Sequence, residues 1–344
     1  MKTLVIGSSS KSSGKTGVIL GLNGALGKKA GYMKPIGDRL IYQKKRLWDY
    51  DSALLTNLWN LQEHPEDLSI GFEHAKLRYK YDAETIVEKL KDVASRTSVG
   101  KEILFVEGGM HLGYGLSVNL DAVSVARALE GELVMVISGS EGAVADDIAF
   151  IKVHLNLQGV KFKGVIINQI HDVEDFNATT LPTLLKLDIP ILGTLPYQSE
   201  LSRFTMRFVA DILFSKILAG EESLDNEVEH IVIGAMAVGS ALRETVFTRG
   251  KKLLITGGDR TDMILAALES GTSGIILTNN ILPQSSVVAR ASELKIPLLL
   301  VSLDTFQVAK QVDDREPLLT RHEPKKVELW TRLVKEHVDL GKFQ

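Results

Sequence analysis

The strongest chemical signal in the chain is Gly7-Ser8-Ser9-Ser10-Lys11-Ser12-Ser13-Gly14-Lys15-Thr16, near its N-terminus. The segment follows an apolar run that reads as a strand and opens a helical pattern. In that context a Gly/Ser loop turns backbone N–H groups inward, where they bind phosphate oxygens. The N-terminus of the following helix adds partial positive charge. At this spacing Lys15 reaches the β- and γ-phosphates of a nucleoside triphosphate, and Thr16 offers its hydroxyl to Mg²⁺. Ser12, Ser13, Gly14 and Gly17 complete the expected phosphate cradle. The spacing departs from the standard P-loop: Ser9 stands where the first glycine belongs, and the nearest earlier glycine is Gly7. The loop is therefore longer and rich in serine. The competing reading is a strand-to-helix turn that binds nothing.

Further polar residues fall at predicted strand ends. A Lys-Pro turn, Lys34-Pro35, follows a short apolar run, and Asp51 lies in Asp49-Tyr50-Asp51-Ser52-Ala53 before a helical pattern. Val106-Glu107-Gly108-Gly109 ends an apolar strand with a carboxylate. Burying that glutamate is costly unless it is paired or near a metal. Thr16, Asp51 and Glu107 make a hard-oxygen shell suited to Mg²⁺. Lys34 is expected to bring a second positive charge to the γ-phosphate. Lys11 reads either as a further phosphate ligand or as a solvated loop lysine.

These residues need a scaffold that brings them to one edge. Apolar runs at 3–7, 103–107, 133–138, 165–168 and 189–193 alternate with helical patterns at 14–27, 83–94, 123–129, 143–154 and 176–187. The runs show little polar alternation, as strands buried on both faces do. Strands alternating with helices imply an α/β fold with a parallel sheet, and ligands at the strand C-terminal ends. An apolar helix is expected over 208–218, followed by a polar, acidic break at 219–226. The alternation then restarts, with strands at 230–235, 252–256, 274–278 and 297–301, helices at 238–247, 261–270 and 284–294, and a helical tail at 323–340. The division expected is a P-loop domain over 1–220 and a smaller α/β domain over 228–340.

Composition narrows the function classes. A length of 344 residues suits two domains, and 44% hydrophobic with 24% charged residues can fill a sizeable core. A net charge of -3 gives no bias toward nucleic acid. The basic run Lys44-Lys45-Arg46 reads as a solvated face. With no cysteine, disulfides, thiolate metal sites and cysteine nucleophiles are excluded. The N-terminal apolar run is too short for a signal peptide, and no apolar stretch approaches the ~20 residues that span a bilayer. A cytoplasmic protein with no membrane partner is expected. His74, His111, His154, His171, His230, His322 and His337 lack metal-ligand spacing. Trp48 and Trp59 read as packing residues.

In that order, the Gly-Lys-Thr loop, the Lys-Pro turn, the aspartate and Val-Glu-Gly resemble dethiobiotin synthetase and its relatives. Gly164-Val165-Ile166-Ile167-Asn168 and Leu192-Gly193-Thr194-Leu195-Pro196 are similar to later strands of that family. The resemblance, over roughly residues 1–215, implies that Asn168 reads an adenine bordered by Leu195 and Pro196. It also implies ATP and Mg²⁺ as cofactors, Lys15 and Lys34 as the catalytic cations, and a homodimer with its substrate side near the interface. Ile36-Gly37-Asp38-Arg39 stands where the synthetase has small polar residues meeting its diamino acid, so dethiobiotin synthesis is not expected. The ParA/MinD-type ATPases carry a signature lysine at the place of Ser10, and their trans-acting mechanism is not assumed.

Val106-Glu107-Gly108-Gly109-Met110-His111-Leu112-Gly113 resembles more closely the N-terminal region of long bacterial phosphate acetyltransferases. Gly234-Ala235-Met236 and Ile255-Thr256-Gly257-Gly258-Asp259-Arg260-Thr261-Asp262 look like the DRTGG domain that follows there, a domain regarded as regulatory. The acetyltransferase catalytic domain has no counterpart in the sequence, so that activity is not expected. Gly257, Gly258, Asp259 and Arg260 could form a nest for a small-molecule ligand; Asp259 could equally cap the helix and Arg260 pair locally. Three functions compete: an ATP/Mg²⁺-binding regulatory or sensor protein with slow hydrolysis, an ATP-dependent ligase or kinase of a small carboxylate or amine, and a module with a degenerate P-loop.

Overall fold

Unbroken runs of Val, Ile, Leu and Phe become strands with both faces covered, as parallel sheets require. The computed structural model describes residues 1–43, 46–313, 319–320 and 323–344. Lys44 and Lys45 of the basic run, and His322, lie outside the described residues; Arg46 pairs with Glu66. The chain forms two compact units, Met1–Gln198 with Arg321–Gln344, and Ser199–Thr320.

The first unit contains β1 (Lys2–Ser8), β2 (Ala30–Met33), the antiparallel hairpin β3 (Leu40–Gln43) and β4 (Arg46–Asp49), then β5 (Ile103–Glu107), β6 (Glu132–Ser138), β7 (Lys161–Ile170) and β8 (Ile191–Pro196). Its six-stranded parallel sheet runs β2-β5-β1-β6-β7-β8. Every residue of β5 is buried. Because all strands point one way, their polar C-terminal residues emerge on one edge. Ile6 pairs with Glu107 across β1 and β5, and Ser138 with Asn168 across β6 and β7.

Helix α1 (Lys15–Leu26) leaves the loop after β1, and α2 (Tyr50–Leu58) starts at Asp49, whose carboxylate caps it through the Ser52 N–H. Gly14, Gly17, Gly21 and Gly24, three or four residues apart, share a face of α1. The C-terminal helix Pro324–His337 lies against this face. The Trp330 indole covers Gly14 and Gly17, Val334 and the Trp330 carbonyl meet Gly21, and Thr331 meets Gly24. Beyond the helix, the Asp339 N–H donates to the Leu192 carbonyl at 2.8 Å, tying the chain end to β8. The tail thus packs with the first unit, and the compact units divide the chain at other points than the 220 and 228 read from the sequence. Bare glycine backbone lets two helices approach, and sequence distance does not limit that approach.

The second unit has a five-stranded sheet in the order Lys216–Ala219, Leu298–Leu300, Thr272–Thr278, Lys252–Gly257, His230–Ile233. All its pairs are parallel except the first. The helix expected over 208–218 stops at Ile212, and its end is strand Lys216–Ala219. Phe214, at φ 49, breaks the helical path. The helix expected over 176–187 is divided into Val173–Thr179 and Leu181–Leu185, where Pro182 has no N–H to donate. The one expected over 238–247 is two short helices, Val238–Ala241 and Thr245–Thr248.

The glycine face yields a test of sign. In a helix interior, Gly→Ala is favourable by ~1 kcal/mol. At Gly142, in helix Glu141–His154, a Cβ meets nothing within 4 Å, so Gly142→Ala should raise the melting temperature. At Gly21 a Cβ would lie 2.6 Å from the Trp330 carbonyl oxygen. Overpacking of that kind costs ~1–3 kcal/mol, so Gly21→Ala should melt a few degrees lower. A rise for both variants in thermal unfolding would contradict the packing of these two helices.

Candidate functional site

Serine holds the loop between β1 and α1 in shape. The Ser8 and Ser13 hydroxyls both donate to the Ser10 carbonyl at 2.8 Å, and Ser13 Oγ lies 3.0 Å from Ser10 Oγ. Ser12 and Gly14 take left-handed backbone, at φ 66 and 87. A side chain at Gly14 would run into the Asn168 amide, so glycine is needed there for space as well as for φ. From the end of β7, Asn168 Nδ2 donates to the Ser13 carbonyl at 2.9 Å and Gln169 Nε2 to the Ser12 carbonyl at 3.2 Å. The adjacent strand end carries Leu195 and Pro196, with the Tyr197 N–H on the Ile170 carbonyl at 2.8 Å. Lys11 stands exposed on the loop.

Lys15 opens α1 and is 8% exposed. Its Nζ donates to Ser8 Oγ at 2.9 Å, and no carboxylate pairs with it within 4 Å among the described residues. Burial pulls its pKa below the ordinary lysine value. A buried cation without a counter-ion, beside a helix N-terminus, is stabilised by an arriving anion.

Carboxylates gather beside it. Glu107 Oε1 accepts from the Thr16 hydroxyl at 3.0 Å, and Oε2 from the Tyr32 hydroxyl at 2.9 Å. Burial, then the neighbouring charge of Asp51, pushes the Glu107 carboxyl up to about 7. Lys34 is fully enclosed, with Nζ 2.6 Å from Asp38 Oδ1, 2.6 Å from Asp51 Oδ2, 3.5 Å from Asp49 and 3.9 Å from Glu107. Burial opposes its charge, but the carboxylates, Asp51 foremost, raise its pKa well above the ordinary value. Burial also opposes ionisation of Asp51, yet Lys34 and Arg39 hold it down to about 2.

The Asp38, Asp49 and Asp51 carboxylates converge closely enough to hold a cation. Asp49 has a different task. Its Oδ2 accepts from the Asp38 and Arg39 backbone N–H groups at 3.1 and 3.2 Å, and its Oδ1 from the Ser52 N–H at 3.1 Å. It fixes the 38–39 turn over the site and starts α2. Thr16, Asp51 and Glu107 supply the hydroxyl and carboxylate oxygens a hard divalent cation takes, so the donor set fits Mg²⁺.

The fold therefore brings Lys15, Thr16, Lys34, Asp51 and Glu107 together at one sheet edge, with Ser12, Ser13 and Gly14 in the loop above them. Gly17 faces Trp330 instead. Sequence reasoning missed Ser8, Tyr32, Asp49 and Trp330, and it read Asp38 and Arg39 only as a departure from the synthetase pattern. The acidic spacing Asp38, Asp49, Asp51 was visible, but which carboxylate meets a cation and which meets backbone was not.

In the second unit, the Arg260 guanidinium donates to the Gly234 carbonyl at 3.1 Å and the Met236 carbonyl at 2.8 Å. It braces the turn after strand His230–Ile233. Gly258 is pressed against the Ile281 carbonyl, where no Cβ fits, and a Cβ on Gly257 would stand 2.5 Å from the Asp259 carboxylate. Backbone packing accounts for Gly258, whereas a side chain meets Gly257.

Residues 2–205 match the AAA domain family and residues 208–314 the DRTGG domain family. The phosphate acetyltransferase of Pseudomonas putida is 26% identical over 98% of this chain and 51% of its own length. That of Synechocystis is 25% identical over 98% of this chain and 50% of its own. The chain thus spans about half the length of the curated relatives it matches. A solved MinD cell division protein of Aquifex aeolicus is 16% identical over 58% of this chain and 84% of that one, with a TM-score of 0.37, a likeness too loose to argue from. No described helix is long and apolar enough to cross a membrane. The P-loop, the Lys-Pro turn, the buried Asp51 and Glu107 carboxylates and the family matches converge: this chain belongs to the AAA domain family, as a dethiobiotin-synthetase-like P-loop domain joined to a DRTGG domain.

Proposed function

We propose that this protein binds ATP with Mg²⁺ at the loop before α1 and uses occupancy of that site as a regulatory signal, with slow hydrolysis as its reset. The observation that carries the reading is Lys15: a buried ammonium that, among the described residues, hydrogen-bonds to Ser8 alone, at the mouth of a helix N-terminus. Terminal phosphates of a nucleotide would supply its counter-charge. Thr16, Asp51 and Glu107 would hold Mg²⁺, which supplies charge neutralisation between phosphates. Leu195 and Pro196 would border the base, with Asn168 reading it. Coupling to the DRTGG domain, a module regarded as regulatory, favours a sensor. The turn at Asp38 and Arg39, its backbone pinned by Asp49, lies where the related synthetase meets its organic substrate, which weighs against the ligase or kinase reading.

Calorimetry of ATP·Mg²⁺ binding to the native chain and to Lys15→Ala tests this. The charge-assisted bonds of one lysine contribute ~1.5–3 kcal/mol, so the variant should bind at least about tenfold more weakly. At a ligand concentration ~100-fold over Kd, the native fold should gain ~2.7 kcal/mol in thermal unfolding. Absence of both effects would mean that the serine-rich loop binds no nucleotide. Appreciable ADP release stimulated by a carboxylate or amine would replace the sensor with the ligase reading.

Glu107 gives the site a pH dependence. Its folded pKa, about 7, lies above the ordinary 4.5. Its contribution to stability is therefore full below pH 4.5 and is lost as pH rises through 7. The cation-binding form is the carboxylate, so affinity for ATP·Mg²⁺ should run the opposite way, rising about tenfold from pH 6 to pH 8. Glu107→Gln should bind more weakly with a flatter profile, any residual slope being the nucleotide's own. Parallel slopes for the two proteins would show that Glu107 does not titrate on binding.

A further inference from the structure

The first turn of α1 is held on two sides by different means. Lys15 and Thr16 are engaged by the sheet edge, Lys15 Nζ through Ser8 and the Thr16 hydroxyl through Glu107. Gly14 and Gly17, three residues apart, have no side chains with which to lock their own side. Glycine loses more backbone freedom on ordering than any other residue, and Gly14 is left-handed at φ 87. The Trp330 indole fills the place of both missing side chains. A Cβ on Gly14 would stand 3.4 Å from Trp330 Cη2, and one on Gly17 would run into the ring, 2.7 Å from Nε1. The indole is buried, and its helix is itself fastened, by Val334 and the Trp330 carbonyl on Gly21, by Thr331 on Gly24 and by the Asp339 N–H on the Leu192 carbonyl. The Asn168 amide also closes on Gly14, from β7. The turn that aims N–H groups at a phosphate is thus backed by a rigid ring from residue 330.

Resting on the ATP·Mg²⁺ reading, we propose that Trp330 is a positioning residue of the phosphate site: packed on Gly14 and Gly17, it holds the first turn of α1 in the geometry that binds phosphate and touches no ligand itself. A hydrogen bond from N–H to phosphate weakens steeply as the donor turns away. Without the ring the Gly14–Gly17 backbone samples more conformations, and the cost of ordering it falls on binding. An indole suits the task because it is rigid and large, with two rotatable bonds. The far edge of its six-membered ring meets Gly14, and the ring junction and Nε1 meet Gly17. A smaller side chain at 330 covers one glycine and leaves the other. Because Trp330 acts on the phosphate-binding backbone, its effect is the same for any ligand that carries the phosphates, with or without a base.

The full-length chain and its Trp330→Ala, Trp330→Phe and Val334→Ala variants should be titrated by calorimetry with ATP·Mg²⁺ and with inorganic triphosphate and Mg²⁺, and their thermal unfolding followed. Val334 packs on Gly21, further along α1, so Val334→Ala loosens the same helix without uncovering Gly14 or Gly17. Trp330→Ala should bind both ligands at least about tenfold more weakly and by the same factor, with Trp330→Phe between it and the native chain. Val334→Ala should melt at a lower temperature yet bind both within about twofold of the native chain. A loss on ATP alone would place Trp330 at the base, an equal loss for Val334→Ala would assign the effect to helix docking as a whole, and unchanged binding by Trp330→Ala would confine the indole to packing; each result overturns the proposal while native binding stands. If Trp330→Ala lacks a cooperative melting transition, Trp330→Phe, whose own transition reports folding, decides by the same comparison. Failure of the native chain to bind either ligand overturns the proposal together with the reading on which it rests.

Discussion

An ammonium ion sealed from water keeps its charge only if carboxylates replace its hydration, and Lys34 is such an ion. Its three aspartates come from one short stretch, Asp38 from the turn after the Lys-Pro step and Asp49 and Asp51 from the start of α2. Holding them around Nζ requires the hairpin β3–β4 to fold back over the end of β2, and Asp49 fastens that fold through three backbone N–H groups. Glu107 completes the cluster from β5, where sheet register places it beside Ile6 and the start of the phosphate loop. Removing one partner from such a network leaves the others uncompensated, which costs more than the same network contributes when whole.

The two lysines of the site differ in what surrounds them. Lys34 is neutralised by the protein itself, whereas among the described residues Lys15 hydrogen-bonds only to a serine hydroxyl. The carboxylate cluster therefore favours an incoming cation and Lys15 an incoming anion, a few residues apart on one sheet edge. A nucleotide carried with its metal satisfies both at once. Either one alone would face like charge nearby, and this electrostatic asymmetry favours the pair over its parts.

The phosphate loop is braced from two remote parts of the chain. Asn168 and Gln169 hold its carbonyls from the end of β7, and Trp330 lies on Gly14 and Gly17 from the C-terminal helix. That helix follows the DRTGG match, which ends at residue 314. The first helical turn of the phosphate site thus packs on a segment that the chain reaches only after passing through the second unit. The contact is tight because α1 presents glycine there, so small shifts of Trp330 are felt by backbone rather than absorbed by side chains.

The sequence by itself determined the buried strands, since continuous aliphatic runs suit only a two-sided sheet. It also determined the loop from Gly7 to Thr16 and the polar ends of apolar runs at Lys34 and Glu107, because such residues there have few uses, and it singled out Asp51 at the start of a helix. It misjudged helix continuity at Pro182 and Phe214, where one residue's backbone decides. Only the tertiary structure decided that Asp49 serves backbone while Asp51 meets cations, that Lys34 is enclosed, and that Trp330 covers Gly17. The first two depend on how one short stretch folds back on itself, and the last on a pair far apart in sequence, as does Asn168 with Ser13, 155 residues away. Local propensity carries no information about which distant group fills a space. Sheet register and the absence of a Cβ at four glycines do.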